Sequence, residues 1–155
     1  MRPASFTGLA MLLALSSPAR AENLHLPVIR PPVPAGAPAT PGPPFSAAVM
    51  AGDTLYISGS VDTDPATGKG HTDPRAGARQ LLDGMARTLE RAGMTMDDLV
   101  WVQIFATNLG NYAAFNEVYR TYFKGPLPAR AFLGAGSLLN NANFEIMGVA
   151  EKPQK

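Results

Sequence analysis

Cysteine is absent from the 155 residues. That excludes disulfides, thiolate catalysis, cysteine-based zinc sites and a lipid anchor on a cysteine near the N-terminus. Histidine is scarce: His25 lies in a proline-rich stretch and His71 in a polar turn, and neither has a partner at helical or hairpin spacing. Such residues predict no metal site. They predict no Ser-His-Asp triad either, because neither follows the strand–turn–helix signal that positions a nucleophile. An excess of charge of one sign is also missing, since 13 Lys and Arg against 12 Asp and Glu leave a net charge of +1. A nucleic acid or an anionic membrane surface would call for a basic footprint, so neither partner is expected. The apolar run at residues 8–15 is far shorter than the roughly 20 residues that span a bilayer.

What is present suits one domain. Apolar residues make up 46% of the chain, enough to bury a core, and the length is too small for two domains of ordinary size. Arg2, the apolar run at 8–15, the break at Ser16-Ser17-Pro18 and the small-x-small sequence Ala19-Arg20-Ala21 together predict a secretory signal over residues 1–21. Cleavage there gives a periplasmic or secreted protein with no remaining membrane contact. Residues 22–44 are read as a Pro-rich linker, dominated from residue 27 by Pro, Ala and Gly, which donate too few backbone hydrogen bonds for helix or sheet. A folded domain is expected over residues 45–152.

Inside the domain, Ala47 to Ala51 and Thr54 to Ser58 flank the turn Gly52-Asp53 and read as a hairpin. Residues 62–69 form a turn. Asp73-Pro74 opens a helix whose Ala78, Leu81, Leu82, Met85, Leu89 and Ala92 share one face, and Gly93 stops it. Residues 99–107 form a strand. Val100, Val102, Ile104 and Ala106 fall on one side and Leu99, Trp101, Gln103 and Phe105 on the other, so both sides need cover. Asn111 is the expected cap of a second helix carrying Tyr112, Phe115, Tyr119 and Tyr122. Residues 131–136 and 144–150 are the last strands. The order is ββαβαββ, an α+β arrangement with two helices on one face of a mixed sheet.

Few polar residues stand in informative places. Arg130 opens a strand directly after Pro128-Ala129, and Glu145 sits inside the otherwise apolar Asn143-Phe144-Glu145-Ile146-Met147. From the pattern alone these are edge-strand charges, a buried ion pair with each other, or a functional pair. Asn116 alone reads as a helix-edge surface residue.

Several segments in one collinear order carry more. Ile57-Ser58-Gly59, Asp64-Pro65-Ala66-Thr67-Gly68, Asn116-Glu117-Val118-Tyr119, Pro128-Ala129-Arg130 and Phe144-Glu145-Ile146 together resemble the RidA (YjgF) family of imine deaminases. The resemblance covers nearly all of the folded domain. It implies a chorismate-mutase-like fold, assembly as a homotrimer with clefts between neighbouring subunits, and no cofactor. It further implies hydrolysis of small 2-imino acids to 2-oxo acids and ammonia. Arg130 matches the arginine that holds the substrate carboxylate, a pairing that suits a planar guanidinium. Glu145 matches the catalytic glutamate, and Ser58, Gly59 and Asn116 match pocket-lining positions. Two positions depart from the pattern. Phe45 stands where relatives carry an aromatic hydroxyl, and Phe132 stands where many carry cysteine. The alternatives are a non-catalytic trimer that holds small carboxylates through Arg130, and a protein-interaction module.

Overall fold

In the computed structural model, which describes residues 22–30, 36 and 41–153, six strands form one mixed sheet in the order β1-β2-β3-β6-β4-β5. The strands are β1 Leu24–Leu26, β2 Ala48–Ala51, β3 Thr54–Val61, β4 Leu99–Ala106, β5 Ala129–Gly134 and β6 Phe144–Glu151, with α1 Pro74–Arg91 and α2 Tyr112–Tyr119 between them. Among the described residues only the β4–β5 pairing is parallel. From β2 onward the order is the ββαβαββ read from the sequence, with both helices packed on one face. The signal at residues 1–21 lies outside the described residues.

Helix α1 forms where its cap and apolar stripe predict. The Asp73 carboxylate accepts from the Arg75 amide at 2.9 Å, and Pro74 occupies the first turn. Ala78, Leu81, Leu82, Met85 and Leu89 are buried against Leu55, Ile57, Val102, Ile104 and Ile146 of the sheet. Gly93, with φ 71°, ends the helix, letting the Met94 amide bond back to the Leu89 carbonyl at 2.9 Å.

Four local readings need correction. Leu24–Leu26 falls in the segment read as linker, yet it pairs antiparallel with β2, Leu26 opposite Ala48. Three residues suffice for an edge strand that borrows its neighbour's open edge. On β4 a bulge between Leu99 and Trp101 breaks the alternation, so Leu99 is buried and Val100 exposed, the reverse of a regular strand. Asn111 does not cap α2. Asn108 instead accepts from the Gly110 amide at 2.9 Å, and the 3-10 turn Leu109–Asn111 leads into the helix.

The turn after β3 is also less solvated than its composition suggests. Asp62 is fully buried, accepting from the Phe144 amide at 2.8 Å and the Asn143 side-chain amide at 3.0 Å. The same Asn143 amide donates to the His71 carbonyl at 2.6 Å, and the His71 ring meets the Gln80 side chain at 2.9 Å. A side chain on Gly77 would collide with the Asp62 carboxylate, so α1 can pass only with glycine there. This network ties the turn and, through Gln80, the second turn of α1 to the start of β6, one residue before Glu145.

Candidate active site

The position of each predicted site residue follows from strand register. Directly opposed residues in neighbouring strands point to the same face of a sheet, and successive residues alternate. Val102 of β4 is buried under the helices, and Arg130 lies opposite it. Phe105 is three residues further along β4 and points the other way; Glu145 lies opposite it. Arg130 and Glu145 of one chain therefore occupy opposite faces of the sheet. The alternative of an ion pair between them within one chain is thereby excluded.

Glu145 stands at a cleft of about 400 Å³ that also takes in Phe45, Ser58 and Gly59. The cleft forms where β3 outruns its neighbour: β2 pairs with β3 only up to Ala48–Ile57, and a bulge follows between Ile57 and Ser60. Ser58 is held by its hydroxyl, which donates to the Ser46 carbonyl at 2.7 Å. Gly59 lies directly against the Glu145 carboxylate, and any side chain there would displace it. Four of the predicted site residues thus meet at one cleft, which Gly84, Arg87, Thr88 and Arg91 of α1 also line.

Arg130 stands at a second, smaller niche of about 110 Å³, shared with Asn116, Tyr119, Arg120, Leu127 and Pro128. Its guanidinium carbon sits 4.7 Å from the centre of the Tyr119 ring, a cation–π contact that fixes the fork without using its hydrogen-bond donors. The Tyr112 hydroxyl accepts from it at 3.4 Å, a long contact. Phe132, two residues on and facing the same way, packs edge-on against Tyr112 with ring centres 5.0 Å apart, and against Phe115 at 5.6 Å. It supports the floor beneath Arg130 and does not line the Glu145 cleft of its own chain.

Tyr119 escaped the sequence reading, which took it for part of an aromatic stripe. It is 2% exposed, and its hydroxyl has no partner among the described residues. Burial pushes its pKa up to about 12, opposed in part by the Arg130 charge. The hydroxyl consequently remains a protonated donor beside a guanidinium. Pattern alone does not separate it from Tyr112 or Tyr122; the segment Asn116-Glu117-Val118-Tyr119, which carries the family resemblance, does.

An α+β chain with this sheet order, a cleft at Glu145 and a separate niche at Arg130 belongs to a recognisable class. Residues 36–152 match the family described as Endoribonuclease L-PSP. The chain belongs to this family, which is also the RidA family. It is 36% identical over 107 residues to the 2-iminobutanoate/2-iminopropanoate deaminase of Dermatophagoides farinae, covering 68% of this chain and 84% of that protein. Among solved structures it is similar to RidA from an Antarctic Psychrobacter, with TM-score 0.66 and 33% identity over 75% of this chain and 94% of the other. It is also similar to Escherichia coli TdcF with bound serine, with TM-score 0.66 and 28% identity over 76% of this chain and 94% of the other.

Proposed function

We propose that the chain is a hydrolytic imine deaminase acting on small 2-imino acids, with a complete site only where copies of the chain meet. The observation that carries this reading is the separation of Arg130 from Glu145 across the sheet. A substrate whose carboxylate and C=N carbon are bonded neighbours needs both residues within a few ångströms, and one chain cannot supply that. A cyclic assembly brings the Arg130 niche of one copy to the Glu145 cleft of the next. The surfaces suit such a contact. Tyr112, Leu127 and Leu133 are exposed around or beyond the niche. Exposed apolar side chains grouped in this way favour burial against another copy. A homotrimer is the closed form consistent with the family resemblance.

In the assembled site the Arg130 fork binds the substrate carboxylate, with Asn116 beside it. Glu145 accepts a proton from a water molecule as the water oxygen attacks the C=N carbon. The π pair moves to nitrogen, which takes up a proton, giving a carbinolamine. Collapse of the carbinolamine forms the C=O bond, breaks the C–N bond and releases ammonia. Glu145 takes the hydroxyl proton and passes it to the departing nitrogen, so the group leaves as neutral ammonia and one water is consumed for each ammonia released. The relative from Dermatophagoides farinae, named for this chemistry, and the serine-bound TdcF support a small amino-acid-like ligand. A signal over residues 1–21 would place this activity in the periplasm or outside the cell.

Ammonia release from freshly generated 2-iminopropanoate tests the reading. Acceleration over the buffer rate is the expected result. Binding of 2-oxo acids with no acceleration would replace it with the carboxylate-binding alternative.

A further inference from the structure

The cleft at Glu145 has a wall that the family match does not contain. Matching begins at residue 36, whereas β1 and the two residues Val28 and Ile29 precede it. Those two residues line the same cleft as Phe45, Ser58, Gly59 and Glu145. Ile29 is 71% exposed and Leu139 is 77% exposed, and both border this one opening. Large apolar side chains held in water around a cleft are placed to cover something else.

The arm is anchored on every side. The Ala47 amide donates to the Leu26 carbonyl at 2.8 Å, extending the β1–β2 ladder to the rim of the cleft. From α1, Arg91 donates to the Pro27 carbonyl at 2.8 Å. Beyond Ile29, Arg30 donates to the Pro41 carbonyl at 3.2 Å, holding the arm to the segment that leads into Phe45. The His25 ring meets the Ser46 hydroxyl at 3.2 Å, and the Ser46 carbonyl in turn receives the Ser58 hydroxyl. A chain of contacts thus runs from the arm to Ser58 and, one residue on, to the glycine against Glu145.

We propose that this N-terminal arm is a specificity element, with Val28 and Ile29 forming, together with Phe45 and Leu139, an apolar wall that selects 2-imino acids with branched or aromatic side chains over the smallest ones. The inference rests on the deaminase reading for its substrate class. The wall offers apolar side-chain surface and no side-chain hydrogen-bond donor for a carboxylate; the cationic side chains at this cleft are Arg87 and Arg91, on its α1 side. The wall therefore acts on discrimination between side chains, where each methylene in an apolar pocket is worth about tenfold or more.

The test compares the parent with Val28→Ser/Ile29→Ser and with Ile29→Ser alone. Both side chains lie at the surface of the cleft, so the fold is retained and melting temperatures confirm it. Calorimetry with 4-methyl-2-oxopentanoate and with pyruvate reads binding, and ammonia release from the leucine- and alanine-derived imines reads turnover. The double variant is expected to lose about tenfold of the preference for the larger ligand in both assays, with pyruvate binding unchanged and a smaller loss in the single variant. An unchanged ratio, an equal loss for both ligands, or a parent that binds neither 2-oxo acid overturns the proposal. A parent that shows the binding ratio and its loss but releases no ammonia upholds the wall and defeats the deaminase reading, which separates the two failures.

Discussion

The cleft at Glu145 is wide, largely apolar and built from a strand that outruns its neighbour; the niche at Arg130 is narrow, cationic and built from a helix resting on a strand. The cleft also carries Arg87 and Arg91 from α1, so the two differ in which predicted site residue they hold. The cleft holds a carboxylate able to activate water, with Ser58 and Gly59 beside it. The niche holds the guanidinium fork, stacked on Tyr119 and flanked by Asn116. Their placement on opposite faces of one sheet shows how a single small domain can carry two halves of a site without the halves neutralising each other. A charged pair in direct contact would satisfy itself; separated across the sheet, each group remains available to a ligand.

Changes confined to one half sharpen this comparison, and the largest is expected at the cleft. Glu145→Gln keeps the shape and removes the base. Turnover should fall roughly 10²–10⁴-fold while affinity for 2-oxo acids stays near the parent value. At the niche the expected pattern is reversed in kind. Arg130→Ala should weaken 2-oxo acid binding by about 1.5–3 kcal/mol, the usual contribution of a charged hydrogen bond, as read by calorimetry. Lysine should recover little of it, since one ammonium cannot present two parallel donors. If Glu145→Gln weakened binding as strongly as Arg130→Ala, the division of roles would be wrong.

A third effect concerns the support of the cleft. Gly77→Ala drives a methyl group into the buried Asp62 carboxylate. A stability loss of about 1–3 kcal/mol, measured by denaturant titration, is expected. An unchanged midpoint would mean that the network of Asp62 and Asn143 is not what ties β6 to α1. The smallest effect is expected beneath the niche. Tyr119 keeps its proton up to about pH 12 in the folded chain, against an ordinary value near 10. The unfolded chain therefore loses that proton first, and stability falls as pH rises from about 10 towards 12. Tyr119→Phe should flatten this alkaline decline in thermal melts. At neutral pH it should leave the melting temperature unchanged or slightly raised, because the hydroxyl it removes has no partner among the described residues.

The two halves were unequally legible in the sequence. Helix α1 could be read from Asp73, Pro74 and a regular apolar stripe, because capping and periodicity are local. The hairpin of β2 and β3 was equally local. Strand β1 was hidden because three residues beside a proline-rich stretch carry no periodicity, and its existence depends on a partner edge. Val100 was misassigned because a bulge leaves no mark in the residue types. Asp62 looked like a turn residue, since burial of a carboxylate depends on Asn143 and Phe144, 81 and 82 residues further on. The identities of Arg130 and Glu145 stood out by their positions in apolar strands, but their relative facing did not. That depends on the register of β5 and β6 against β4, which no single strand contains.

Mixing Arg130→Ala and Glu145→Gln chains tests the central claim most directly. Each variant alone should release almost no ammonia. After the two are unfolded together and reassembled at equal amounts, about a quarter of the contacts between copies carry an intact Arg130 facing an intact Glu145. Recovery of about a quarter of the parental rate is the result predicted by a site shared between copies. A reassembled mixture no more active than the two variants measured apart would contradict it.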